Sequence, residues 1–114
     1  MSEEEIWRIV EEVPFYKVSN LGNIQRFIRG SKMNKMQLNV NIKQQLHNGY
    51  LIVKMRNGNK QVTRSVHRLV AKAFVKNDDL INKTEVNHID LNKLNNSSTN
   101  LEMANAKRKY ESCY

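Results

Sequence analysis

The chain has a single cysteine, Cys113, next to its last residue. A disulfide framework within one chain is therefore excluded, and so is a cysteine-based zinc site. No apolar run approaches the ~20 residues needed to span a bilayer. The opening stretch "MSEEEIWRIVEE" is acidic and lacks the basic-then-apolar order of a secretory leader. There is no internal repeat and no low-complexity linker. What remains is a chain of 114 residues, 39% apolar. That suits one small domain with a modest core, or such a domain with an appendage, and a cytoplasmic location is expected.

Acid is scarce after residue 22. Residues 1–22 carry Glu3, Glu4, Glu5, Glu11 and Glu12 against Arg8 and Lys17, a net charge of −3. Residues 23–114 carry 17 Lys/Arg against six acids, a net of +11. A basic body in a chain of pI near 9.8 implies a polyanionic partner, nucleic acid above all.

The alternation in "PFYKVSNLGNIQRFIRG" (14–30) predicts a hairpin turned at "SNLGN". Residues 31–48 read as a polar connector, with one short strand near Leu38–Ile42. "GYLIVKMRNGNKQVTRSVH" predicts a second hairpin around Asn57-Gly58. The period then changes. Val66, Leu69, Val70, Ala73 and Phe74 recur at helical spacing, with Ser65 as a candidate N-cap and an end near "VKNDD". "EVNHI" and "NLEMA" follow as short strands, and "ANAKRKYES" can form a terminal helix.

Between those two strands stands "EVNHIDLNKLNNSSTNLEM" (85–103), one histidine among five asparagines. Asparagine favours turns because its side chain bonds nearby backbone and tolerates left-handed geometry. The tract is either a turn-rich surface loop or a shaped loop that presents His88. His67 reads as structural, His47 as incidental surface, and Phe15, Tyr16 and Tyr50 as packing.

"VHRLVAKAF" followed by "VNHIDLNKLNNSSTNLEM" resembles the HNH homing-type endonucleases of phage and intron origin. The matching residues are His67–Ala71, Asn87–Lys93, Asn95–Asn96 and Asn100–Met103. "IWRIVEEVPFYKVSNLGNIQR" resembles the modular motif that often precedes HNH domains. The likeness covers the chain from about Trp7 to Lys109. It implies an α+β fold: N-terminal hairpins and connector (1–48), then a helix and a ββα-metal unit (49–114).

The resemblance also implies hydrolysis of DNA phosphodiesters with a divalent metal, Mg²⁺ or Mn²⁺. It places His88 at the general base, Asn87 at a metal ligand, and Asn100 at the amide that ties the loop. The third signature position falls on Lys109. An ammonium has no lone pair for a metal, so Lys109 is expected either to weaken the metal site or to grip phosphate itself. Asp90 and Asn105 are nearby candidate substitutes, though neither falls on the motif position. Leu91 stands where relatives carry glycine, and Met103 where they carry tryptophan. A neutral imidazole takes a proton near physiological pH, while a metal neutralises phosphate charge and stabilises the leaving oxygen. Asparagine oxygens are hard ligands acceptable to Mg²⁺.

Arg26, Arg29, Lys32, Lys35, Arg68, Lys93, Lys107 and Arg108 are the candidate contacts to nucleic acid, mostly to its backbone. Three function classes stay open: a metal-dependent DNA endonuclease, a DNA-binding module with an inactive HNH shell, and a small phage effector that binds a host protein.

Overall fold

The computed structural model describes residues 4–29 and 37–105. Lys32, Lys35, Lys107, Arg108, Lys109 and the expected terminal helix lie outside the described residues, as does the side chain of Arg29. Within them the architecture is α+β: three antiparallel sheets around one helix.

The first sheet has four strands in the order β1 (Trp7–Ile9), β2 (Tyr16–Ser19), β3 (Ile24–Arg29), β4 (Gln37–Asn41). The hairpin at 14–30 is β2 and β3, with Tyr16 opposite Arg26 and Val18 opposite Ile24. The alternation works as pleating requires. Tyr16, Val18 and Ile24 are buried, while Lys17 and Gln25 lie on the other face. Phe15 is a correction to its expected packing role: it is 58% exposed.

The second sheet is β5 (Gln45–His47), β6 (Tyr50–Asn57) and β7 (Lys60–Ser65). The expected β6–β7 hairpin is present, but Asn57 pairs with Lys60, so the tip is Gly58-Asn59 rather than Asn57-Gly58. The Asn-Gly turn proper lies one hairpin earlier. Asn48 and Gly49, at φ 52° and 84°, connect His47 to Tyr50. Two consecutive positive φ values are the geometry for which Asn-Gly is favoured. Residues 31–48 are thus more than a connector.

The helix α1 (Val66–Phe74) buries Val66, His67, Leu69, Val70 and Ala71. Ser65 occupies the N-cap position, yet its hydroxyl makes no capping bond. The helix closes with Val75 N–H donating to Ala71 C=O at 2.9 Å. α1 touches β2, β6, β7 and the third sheet, β8 (Glu85–His88) with β9 (Leu101–Ala104). One apolar cluster results, from Val10 and Val13 through Val53, Met55 and Val70 to Val86 and Leu101. Its members come from both sides of residue 48. Tyr16 links the first two sheets as well, because its hydroxyl accepts Arg56 N–H at 2.9 Å.

Candidate active site

β8 ends at His88 and β9 begins at Leu101, so the asparagine tract is the connection between two paired strands. Its backbone closes on itself: Ile89 N–H donates to Asn100 C=O at 2.8 Å, and Leu91 N–H to His88 C=O at 3.0 Å. Side chains carry the rest. Asp90 Oδ1 accepts Asn92 N–H at 2.8 Å and Asn100 Nδ2 at 2.8 Å, and Asp90 Oδ2 accepts Asn95 Nδ2 at 2.9 Å. Asn100, itself buried, also accepts Asp90 N–H and donates to Asn95 C=O. Asparagine suits these places because one short side chain both donates and accepts. The Asn95 amide, then the Asn92 N–H, then the Asn100 amide hold the Asp90 carboxyl below the ordinary carboxylate range.

His88 is 5% exposed. Its Nε2 lies 2.8 Å from Asn96 Oδ1. A carbonyl-type oxygen only accepts, so Nε2 carries the hydrogen and the neutral ring keeps its lone pair on Nδ1. The ring meets His67 edge-on, with centroids 5.2 Å apart, and lies 6.0 Å from Tyr50. Tyr50 and His67 are 5.0 Å apart, and Lys93 Nζ sits 4.9 Å over the Tyr50 ring. The tract, the first helical turn and the start of β6 therefore converge on one imidazole.

Asn87 and His88 are neighbours on β8, so their side chains leave opposite faces of the strand. Asn87 lies opposite Glu102 and donates to it, Nδ2 to Oε1, at 2.8 Å. Among the described residues that bond leaves the Asn87 oxygen and the second Glu102 oxygen without a hydrogen-bond partner. Asp90, the other expected ligand, has both oxygens engaged within the loop. Among the described residues no three His, Cys, Asp or Glu side chains form a metal cluster. The donor set that fits a hard cation is one amide oxygen and one carboxylate. Mg²⁺ accepts such a set because it retains waters and takes phosphate oxygens.

The candidate cations are dispersed. Arg68 is ion-paired with Glu85 at 3.1 Å, and Arg26 lies 5.8 Å over the Tyr16 ring. Lys93 lies over Tyr50, the ring that neighbours both His67 and His88. Sequence reasoning missed Asn96, Tyr50 and Glu102. Asn96 and Glu102 lay within the quoted motif but carried no assigned role.

Comparison with known proteins bears on the fold and the family resemblance. Residues 5–56 match the NUMOD4 motif. Two uncharacterised HNH endonucleases of Acanthamoeba polyphaga mimivirus are 39% identical over 101 residues and 37% over 105. These alignments cover 89% and 90% of this chain but 27% and 24% of those proteins. A solved structure concerned with DNA binding and cleavage by the HNH homing endonuclease I-HmuI superimposes with a TM-score of 0.73 at 32% identity. It covers 94% of this chain and 56% of that one. Over most of its length the chain is similar to HNH homing-type endonucleases. It spans about a quarter of the length of its viral relatives. The chain is thus α+β with an N-terminal modular motif, as the resemblance implied. Among its described residues no helix is long and apolar enough to cross a membrane.

Proposed function

We propose that this chain carries a DNA endonuclease centre in which His88 is the general base for phosphodiester hydrolysis. The observation that supports it best is the His88–Asn96 bond of 2.8 Å, which leaves Nδ1 as the basic nitrogen. A base must present a lone pair and hold it still, and buried neighbours restrict the ring on two sides. The basic body of the chain suits DNA as the partner. Asn87 with Glu102 would hold a divalent metal, Mg²⁺ or Mn²⁺, across the end of β8 from the His88 ring; when bound it would supply charge neutralisation to a phosphate seated at that strand end. Asp90 acts within the loop instead: with Asn100 it fixes the path of the chain beyond His88. Lys93, next to Tyr50, would meet a backbone phosphate.

A second reading keeps DNA binding and drops cleavage. Lys109 at the third signature position favours it, since the residue brings a cation where a ligand is expected. The relatives described above are nucleases, which leaves the host-protein reading without support.

Supercoiled plasmid with Mg²⁺ or Mn²⁺ tests the assignment. His88→Ala should slow nicking about 10²- to 10⁴-fold, the usual worth of general-base catalysis, and leave DNA affinity within a few-fold. Cleavage by that variant at the wild-type rate would remove His88 from the mechanism. Tight DNA binding with no nicking by either protein would establish the second reading.

A further inference from the structure

We propose that the N-terminal motif is a working part of the active site: its Gly22 turn holds Asn96 in place, and Asn96 orients His88. The proposal rests on the reading of His88 as the base.

Asn96 is only 4% exposed, and among the described residues its Nδ2 has no hydrogen-bond partner. An unsatisfied buried donor normally costs about 1–3 kcal/mol, so such a group calls for an explanation. The other half of the same amide supplies one. Asn96 Oδ1 is the acceptor for His88 Nε2. The side chain serves the imidazole at the expense of its own second bond.

What holds Asn96 comes from far away in sequence. Gly22 lies in the turn between β2 and β3, at φ 94°. A Cβ added there would lie 3.1 Å from Asn96 Cβ and 3.2 Å from Asn96 C=O. A methyl group there would press on both the Cβ and the carbonyl of Asn96, and Asn96 would have to give by a few tenths of an ångström. Two residues further along the tract, Ser98 N–H donates to Asn20 C=O at 2.7 Å. Asn20 is anchored in turn: its Oδ1 accepts Ile6 N–H at 2.7 Å and its Nδ2 donates to Glu4 C=O at 3.0 Å. Ser19 Oγ accepts from Leu21 and Asn23 N–H, which fixes the turn that carries Gly22. The path is continuous from residues 4–6, through the turn, to Asn96 and then His88. Each link is a close contact or a bond under 3.3 Å. The motif therefore has a role separate from any contact it makes with DNA: it is the wall behind the positioning amide.

The test reads the imidazole directly, in the full chain without DNA or metal. Ring nitrogen-15 shifts report which nitrogen of His88 carries hydrogen, with the signal assigned by comparison with His88→Ala. Wild type should show hydrogen on Nε2. Asn96→Ala should give a mixed tautomer, and Asn96→Asp, which restores an acceptor oxygen, should return it to Nε2. Gly22→Ala adds the methyl but also strains a positive φ. Gly22→Asn adds the same Cβ in a residue that tolerates positive φ better than alanine does, and so lessens the share of backbone strain at φ 94° beside the close approach. Both should move His88 toward the Asn96→Ala spectrum. In cleavage assays both should lower kcat about 10- to 100-fold, a typical effect of misplacing a catalytic group, with KM for DNA changed less than 3-fold. A wild-type His88 spectrum in folded Gly22→Asn, or in Asn96→Ala, overturns the proposal. The spectra decide it even if the wild-type protein proves unable to cut DNA, an outcome that counts only against the nuclease reading.

Discussion

Asn100 and Asp90 hold each other twice: Asn100 Oδ1 accepts Asp90 N–H at 3.0 Å while Asn100 Nδ2 donates to Asp90 Oδ1 at 2.8 Å. The pair closes the tract just beyond His88 and ties its start to the residue before β9. Asn100→Ala removes both bonds and the third one to Asn95 C=O. It should destabilise the protein by about 1–3 kcal/mol, because groups that are partly buried lose their partners. The melting temperature should fall by several degrees, and cleavage should fall with it. Loss of cleavage at an unchanged melting temperature would give Asn100 a direct chemical role and remove its structural one.

Acid should loosen the same tract, and only at low pH. Asp90 has a lowered pKa in the folded state, chiefly through the Asn95 amide and the Asn92 N–H. A depressed carboxyl contributes stability that is present above its unfolded value, about 3.9, and lost as pH falls through the folded value. The amide signals of Asn92 and Asn95 should therefore stay constant from neutral pH to about 4 and move below it. Asp90→Asn should abolish that step and weaken the loop at every pH, since its new amide would face the Asn95 amide donor to donor. A midpoint above 4 in wild type would contradict this account.

Local periodicity made much of this fold legible. Tyr16, Val18 and Ile24 alternate on one pleated face, Val66, Leu69 and Val70 recur on one helical face, and the structure has strands and a helix there. Two strands escaped notice because they have three residues each, too few to show a period: Trp7–Ile9 and Gln45–His47. All of Gln45–His47 is exposed. Its one signal was Asn48-Gly49, outweighed by the Asn57-Gly58 that proved not to be the turn tip. In the site, Asn100 was readable from the motif because its partners lie within ten residues. Asn96 against Gly22 was not, since a contact across 74 positions leaves no local pattern. Tyr50 looked like packing for the same reason: strand alternation says which face a side chain takes, not what stands opposite.

DNA binding should be electrostatic in its main term. The net charge of +8 and the surplus of cations after residue 22 predict a logarithm of affinity that falls linearly with the logarithm of salt concentration. Replacing Lys93 with Ala should reduce that slope by about one unit, the share of one phosphate contact. A slope unchanged in Lys93→Ala would take this residue off the DNA path. Binding that ignores salt would count against a nucleic-acid partner altogether.

Metal demand should reveal what Lys109 does. If it weakens a metal site, Lys109→Asn supplies a neutral oxygen ligand and removes a positive charge. Nicking should then need less Mg²⁺ than in wild type, by a factor of ten or so, which corresponds to about 1.4 kcal/mol of relieved repulsion. If Lys109 instead grips phosphate, the same change lowers the rate and leaves the metal requirement alone. Titration of both proteins with Mg²⁺ separates the two, and a chelator should stop either one.

Leu91 is the place where the tract works against its own backbone. It stands at φ 66° and is 74% exposed. A left-handed conformation costs an ordinary side chain roughly 1–2 kcal/mol, because Cβ crowds the following carbonyl. The Leu91 side chain returns little of that through burial. Its N–H is needed, since it donates to His88 C=O and shapes the turn directly after the histidine. Leu91→Asn keeps the N–H and tolerates the conformation, so it should raise stability by about 1 kcal/mol and the melting temperature by a few degrees. Leu91→Gly relieves the strain fully but frees the unfolded chain by about 0.4–1 kcal/mol, so its gain should be smaller. The expected order of melting temperatures is Asn above Gly above Leu. If both variants melt at or below wild type, the strain account fails. A DNA affinity that drops in both, with stability raised, would show that the exposed leucine is kept for contact with the substrate at the edge of the active site.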